Sequence, residues 1–314
     1  MSENHFLERK ECPACKSLKL EQIYSCGFQQ SPIREYLEAF YSGQGHIESK
    51  YLADASYILV ECSDCGMIFQ REIPDDFLSD KLYEEWIDPD LARKRHLEDY
   101  NLQKFKRYAQ EILLLIGYVG KSLNELKFFD FGMGWGEWAN VVRAFGCSCT
   151  GLEISPTRIE FARSQGLKII SPDKVPEGHY DVINCEQVFE HIADPLGTLR
   201  WLKTALKPGG LIKVNVPDGR GVKRYLSEDN WRSAGSGRKL INPVSPLEHI
   251  NCYNRSGLIR MGEVCGLKSI DIPLSLQWKY SINIDGIGGI LKGLLRPIYG
   301  RYWGRSTNVL FRFE

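Results

Sequence analysis

Two CxxC pairs stand near the start of the sequence: Cys12-Pro13-Ala14-Cys15 and Cys62-Ser63-Asp64-Cys65. Each is a tight knuckle that can present two thiolates to one ion, and Cys12, Cys15, Cys62 and Cys65 together make the closed four-thiolate set that Zn2+ takes in structural sites. Gly66 suits a backbone turning sharply under such a metal. The stretch Lys16 to Glu61 is longer than in a compact zinc ribbon, and unligated thiols or a redox CxxC are the competing reading. A second chemistry lies at FFDFGMGWGEW, Phe128 to Trp138. An apolar run ends in Asp130 and meets Gly132, Gly134 and Gly136 in alternation, with a helical pattern directly after. Strand, glycine turn and helix form a backbone cradle at a helix N-terminus.

The elements that position these residues can be read from periodicity. KFFDF, CSCTGLEIS, LKII, HYDVINCE and LIKVNV are five strands, separated by helical stretches over Glu137–Phe145, Pro156–Gln165 and Asp194–Leu206. Ser155 is the expected N-cap of the second helix, and Pro156 its first residue. Strands alternating with helices predict an α/β fold, a doubly wound and mostly parallel sheet, which binds ligands beyond the carboxyl ends of its strands. Ahead of it, Leu102, Phe105, Tyr108, Ala109, Ile112 and Ile116 mark the buried face of one long helix starting near Leu91 and stopped by Gly117 and Gly120. Tyr83 and Trp86 are candidates to fold over a cofactor. Cys147, Cys149 and Cys185 fall in strands as small buried hydrophobes. Cys26 reads as a spare thiol, and His5 and His46 as exposed polar residues.

Composition narrows the class. The 314 residues are 43% hydrophobic and 25% charged with a formal net charge of zero, so no global field favours nucleic acid. No apolar run reaches the length of a membrane span. MSENHFLERKE lacks an apolar h-region, so a cytoplasmic setting is expected, in which the ten cysteines are thiols or metal ligands. The expected organisation is a small zinc-binding segment over 1–75, a helical lead-in over 76–124 and the main domain over 125–314. The main domain carries a polar loop at 218–248 and an insertion at 278–304, whose basic, apolar stretch 286–301 could touch a membrane surface or a partner, or act as a cap. STNVLFRFE is read as a last, antiparallel strand. Asn254 or Ser256 is the expected cap of a helix over Gly257–Val264.

The glycine turn departs from the dinucleotide pattern GxGxxG, because Glu137 stands where the last glycine belongs, and no GK[ST] follows as in a Walker loop. The chain instead resembles the class I S-adenosylmethionine (SAM) methyltransferases. Their D-x-G-x-G-x-G is matched by Asp130, Gly132, Gly134 and Gly136. The acid ending strand two is matched by Glu153. The strand-four string is matched by YDVINCEQVFEHIADP, and LKPGGxxxxxxP by Leu206 to Pro217. The resemblance covers about residues 80–275 and implies a seven-stranded Rossmann-like sheet and SAM as cofactor. Asp130 would order the loop or accept from the ligand's ammonium, Glu153 accept from the ribose hydroxyls, Ile154 pack on the adenine, and Gln187 lie near the methionine portion. For a hydroxyl acceptor His191 is the first candidate for general base and His249, in the EH string near residue 248, the second. Both histidines also fit plain packing or capping. The cysteine knuckles ahead of such a domain further resemble zinc-containing sugar C-methyltransferases. A small-molecule or glycan acceptor, with a hydroxyl favoured, is therefore the first expectation. A methyltransferase acting on RNA or protein, or a SAM-binding partner without chemistry of its own, is the alternative.

Overall fold

The apolar runs between Lys127 and Asn215 pair side by side in the computed structural model, which describes residues 4–43, 45–98, 101–227, 241–281, 295 and 307–314. Its main sheet has seven strands in the order 268–270, 308–312, 206–215, 180–186, 127–131, 148–152, 168–169. All neighbouring pairs are parallel except those of Asn308–Arg312, which runs antiparallel to both its neighbours. Helices Glu137–Ala144, Pro156–Ser164 and Pro195–Ala205 connect the parallel strands. Strands covered on both faces must be apolar throughout, which is why they read as continuous runs. Phe128, Phe129, Val182, Ile183, Ile212 and Val214 are wholly buried. The strand order reverses between 127–131 and 180–186, and ligands of such sheets sit beyond that switch point.

Two compact units emerge from the contacts: one of Met1–Glu98, Gln187–Thr198 and Val216–Val264, the other of Asp99–Glu186, Leu199–Asn215 and Cys265–Glu314. The second holds the seven-stranded sheet. The first holds a four-stranded antiparallel sheet ordered 251–252, 68–70, 56–62, 20–27 and a two-stranded sheet of Phe6–Glu8 with Glu72–Pro74. Its core is aromatic. Phe28, Tyr41, Tyr57 and Trp86 pack with Val244 and Leu247.

Several elements differ from the sequence expectation. The single long helix is two, Pro89–Glu98 and Leu102–Val119. Asn101 starts the second by accepting the Lys104 N–H at 3.0 Å, an N-cap that periodicity alone does not reveal. Leu102 is 81% exposed and lies off the buried face of Tyr108, Ile112 and Leu115. Gly117 does not stop the helix. A β-carbon there would come within 2.3 Å of Tyr280 on helix Leu274–Ser281, so this glycine serves close packing. The stop is Gly120, at φ +71°. Ser155 occupies the N-cap position of its helix but makes no side-chain capping bond. Asn254 is the cap of the helix that begins at Arg255, accepting from Gly257 N at 2.7 Å. Trp86 is a core residue at the end of the π-helical turn Lys81–Trp86, and His5 is half-buried against Asp75 at 3.1 Å. Trp278, where the insertion was expected to begin, continues a helix to Ser281. Apart from Leu295, the insertion from 282 to 304, with its membrane or partner stretch 286–301, lies outside the described residues, as does 228–240 of the polar loop. No described helix is long and apolar enough to cross a membrane.

Candidate functional site

The two CxxC pairs converge. Cys12 Sγ lies 3.6 Å from Cys65 Sγ, Cys15 Sγ 3.6 Å from Cys62 Sγ, and all four sulfurs lie within 4.8 Å of one another. A tetrahedral ion with arms of about 2.3 Å spaces its sulfurs about 3.8 Å apart, so the set fits Zn2+. The knuckles are built alike. Lys16 N–H returns to Cys12 O and Gly66 N–H to Cys62 O, both at 2.8 Å, and the residue after each pair is left-handed, Lys16 at φ +63° and Gly66 at +72°. Sharing its proton with Cys65 pulls the Cys12 thiol down to about 6 and pushes Cys65 up, a competition that a bound cation removes.

The glycine turn sits at the carboxyl end of strand Lys127–Phe131. Gly132, Gly134 and Gly136 have φ of +67°, +56° and +78°, a repeated left-handed turn that side chains resist. A β-carbon on Gly136 would lie 2.3 Å from Leu167 Cδ1, whereas one on Gly134 would meet nothing within 4 Å. Gly136→Ala is thus expected to destabilise the fold by about 1–3 kcal/mol through strain and overpacking, measured as a lowered denaturant midpoint. Glu153 fastens the loop. Its Oε2 accepts from Gly134 N at 2.8 Å, and its Oε1 from Ile154 N at 2.9 Å and Ser155 N at 3.0 Å. A carboxylate has about four acceptor directions, so one stays available to a ligand.

Across the switch point Asn184 Nδ2 donates to Asp130 Oδ1 at 2.7 Å. Asp130 is 2% exposed, and its Oδ2 has no hydrogen-bond partner among the described residues. Burial pushes its carboxyl up to about 7, against the pull of Asn184 and Lys213. Ile154 is 78% exposed directly beside the loop, an apolar surface open to a flat ring. Glu137, first in the helix, pairs with Lys104 at 2.5 Å. Acids at Asp130 and Glu153, one before the glycine turn and one bonded to it, disfavour phosphate and suit a ligand with cationic and hydroxyl groups, as SAM has. Below it Lys213, buried in strand 206–215, bridges Glu111 at 2.5 Å and Glu186 at 2.7 Å. Asn184 and Lys213 went unnoticed as site residues in the sequence. A polar residue inside an otherwise apolar strand was the available signal. Gln187, the first residue past strand Tyr180–Glu186, takes φ +55°, uncommon for a side chain of its kind.

In the other unit His191 and His249 come together, ring centroids 4.7 Å apart and edge to face. His191 lies in the short 3-10 turn Phe189–His191. Its Nδ1 is 2.9 Å from Glu248 O and 3.0 Å from Tyr83 Oη. A carbonyl only accepts, so the Glu248 contact calls for hydrogen on Nδ1, with Tyr83 Oη as a second acceptor of it, and leaves the lone pair on Nε2. His249 likewise donates from Nδ1 to Asn242 O. Burial pulls His249 down to about 4 and pushes Glu248, which accepts from Tyr41 Oη at 3.0 Å, up to about 7. The carboxyl of Glu190, 1% exposed, stands 3.9 Å from His191 Nε2. Ligating atoms of Glu190, His191 and His249 all lie within 4.8 Å of one another. Tyr83, anticipated as a possible cover for a cofactor, is a partner of His191.

A family model described as a methyltransferase domain matches residues 99–271. The ubiquinone biosynthesis O-methyltransferase of Aeromonas salmonicida (strain A449) is 28% identical over 191 residues, 55% of this chain and 78% of that protein. That of Vibrio vulnificus (strain YJ016) is 29% identical over 203 residues, 58% of this chain and 84% of that protein. The plantazolicin methyltransferase BamL, solved with a triazolic desmethylPZN analog and SAH, aligns with 75% of this chain and 92% of its own at 14% identity and a TM-score of 0.49. The chain belongs to the methyltransferase-domain family and is a SAM-dependent methyltransferase.

Proposed function

We propose that the chain transfers the methyl group of SAM to a hydroxyl of a small molecule or glycan, with His191 taking the hydroxyl proton. The observation that carries this reading is the histidine pair, in which the backbone carbonyl of Glu248 favours the His191 tautomer with hydrogen on Nδ1 and the lone pair on Nε2. Bound SAM supplies an electrophilic methyl and its own leaving group. Asp130 Oδ2 would accept from its ammonium, Glu153 from a ribose hydroxyl, Ile154 would cover the adenine, and Gln187 would contact the methionine portion. The neighbouring carboxyl of Glu190 would stabilise the imidazolium formed on His191. His249, with its pKa pulled down to about 4, is the poorer base and would stay neutral beside it. The O-methyltransferase activity of the relatives supports a hydroxyl acceptor. We further propose zinc in the Cys12, Cys15, Cys62, Cys65 set as a structural ion, and a cytoplasmic setting in keeping with unpaired thiols.

Titration calorimetry tests the cofactor assignment. The intact protein should bind SAM, and Glu153→Ala should weaken it roughly 10- to 100-fold, since the carboxylate serves both loop and ligand. Failure of the intact protein to bind SAM sinks the reading. A panel of phenolic, sugar and polyol acceptors, followed by SAH release, tests the hydroxyl.

A further inference from the structure

Both histidine turns are held by side chains that play no part in the proton transfer. The turn Ser245–His249 contains Leu247 at φ +71°, a conformation a leucine keeps only where its surroundings enforce it. Gln70, wholly buried, supplies that enforcement: its Nε2 donates to Ser245 O at 3.2 Å and His249 O at 3.1 Å, and its Oε1 accepts from Leu247 N at 3.4 Å. Asn251, 1% exposed, donates from Nδ2 to Phe189 O at 3.0 Å and Ile192 O at 2.6 Å, bracketing Glu190 and His191. Arg9 joins the two clamps. Its Nη1 donates to Asn251 Oδ1 at 2.7 Å, its Nε and Nη2 to Gln70 O at 2.9 and 2.7 Å, and its Nη2 to Ile250 O at 2.6 Å.

We propose that Gln70 and Asn251, tied together by Arg9, are positioning residues that set the mutual geometry and the tautomers of His191 and His249. Buried polar groups cost free energy unless every bond is made, and apolar residues would fill the same space. What these three provide is directional. The carbonyl that fixes the His191 tautomer belongs to Glu248, inside the turn that Gln70 holds, so one carboxamide governs both rings. The link to catalysis rests on the histidine reading above, but the geometry can be read without turnover.

The test is imidazole 15N–1H NMR on the full chain loaded with zinc, with His191 and His249 assigned through His191→Gln and His249→Gln. The wild-type protein should show both rings as single Nδ1–H tautomers. Gln70→Met, close in volume but without the bonds, should raise the minor tautomer of both rings roughly fivefold or more. Asn251→Asp keeps the acceptor for Arg9 but loses both donated bonds, and should disturb His191 alone. SAM affinity and zinc content should stay unchanged in both variants. Unaltered tautomers in either folded variant overturn the proposal. Scrambled tautomers with undiminished methyl transfer uphold the positioning and overturn the histidine mechanism instead.

Discussion

Alanine at His191 is expected to lower kcat by about 10²–10⁴ while leaving the affinity for SAM within about twofold. A general base acts on the barrier and not on the cofactor's ground state, so the loss should fall on kcat. Stopped-assay kinetics beside calorimetry read both quantities, and an equal loss in the two would assign His191 to packing. His249 should behave differently. Its folded pKa of about 4 lies below its unfolded value near 6.5. Its contribution to stability is therefore complete above about pH 6.5 and is lost as the pH falls through about 4. Its neighbour Glu248, pushed up to about 7 from 4.5, works in the opposite sense: its contribution is complete below about 4.5 and is lost as the pH rises through about 7. His249→Gln should flatten the acid side of a Tm-against-pH curve, and Glu248→Gln the neutral side.

Removing the metal is expected to have the larger structural effect. Structural zinc contributes about 10–16 kcal/mol of apparent binding free energy, comparable with the whole stability of a domain. The unit that holds the cysteines has modest sheets and an aromatic core to replace it. Chelation, or Cys62→Ser, should abolish the near-ultraviolet signal of Tyr41, Tyr57 and Trp86 and bring zinc content from about one per chain to none. A metal-free chain with an unchanged thermal transition would remove zinc from the account.

Much of the fold was legible because its signals are local. Strand, glycine turn and helix follow one another within Lys127–Ala144, and Asp130 with its glycines occupies consecutive positions. The cysteine pairs announced their convergence through chemistry alone. Glycine was a less reliable guide: Gly117 and Gly120 look alike in sequence, and only the packing of Tyr280 and a left-handed φ tell them apart. The frame of the histidines was not legible. Gln70, Arg9 and Asn251 are ordinary polar residues whose partners lie far along the chain, and no spacing links Gln70 to His249. The EH strings were visible, but not that the carbonyl of Glu248 would orient His191.

The strand Asn251–Cys252 completes a sheet whose other three strands end at Gln70. During synthesis at about 5–20 residues per second, roughly 10–35 s separate these two points. If Ile68–Gln70, buried in the finished protein, forms its strand in that interval, its edge toward Asn251–Cys252 is open. All four cysteines have been made by then, since Cys65 precedes Gln70, so the zinc proposed for them could bind at that stage. A chain released after about residue 200 would lack the strand that covers this edge, and is expected to aggregate more readily than the full-length chain.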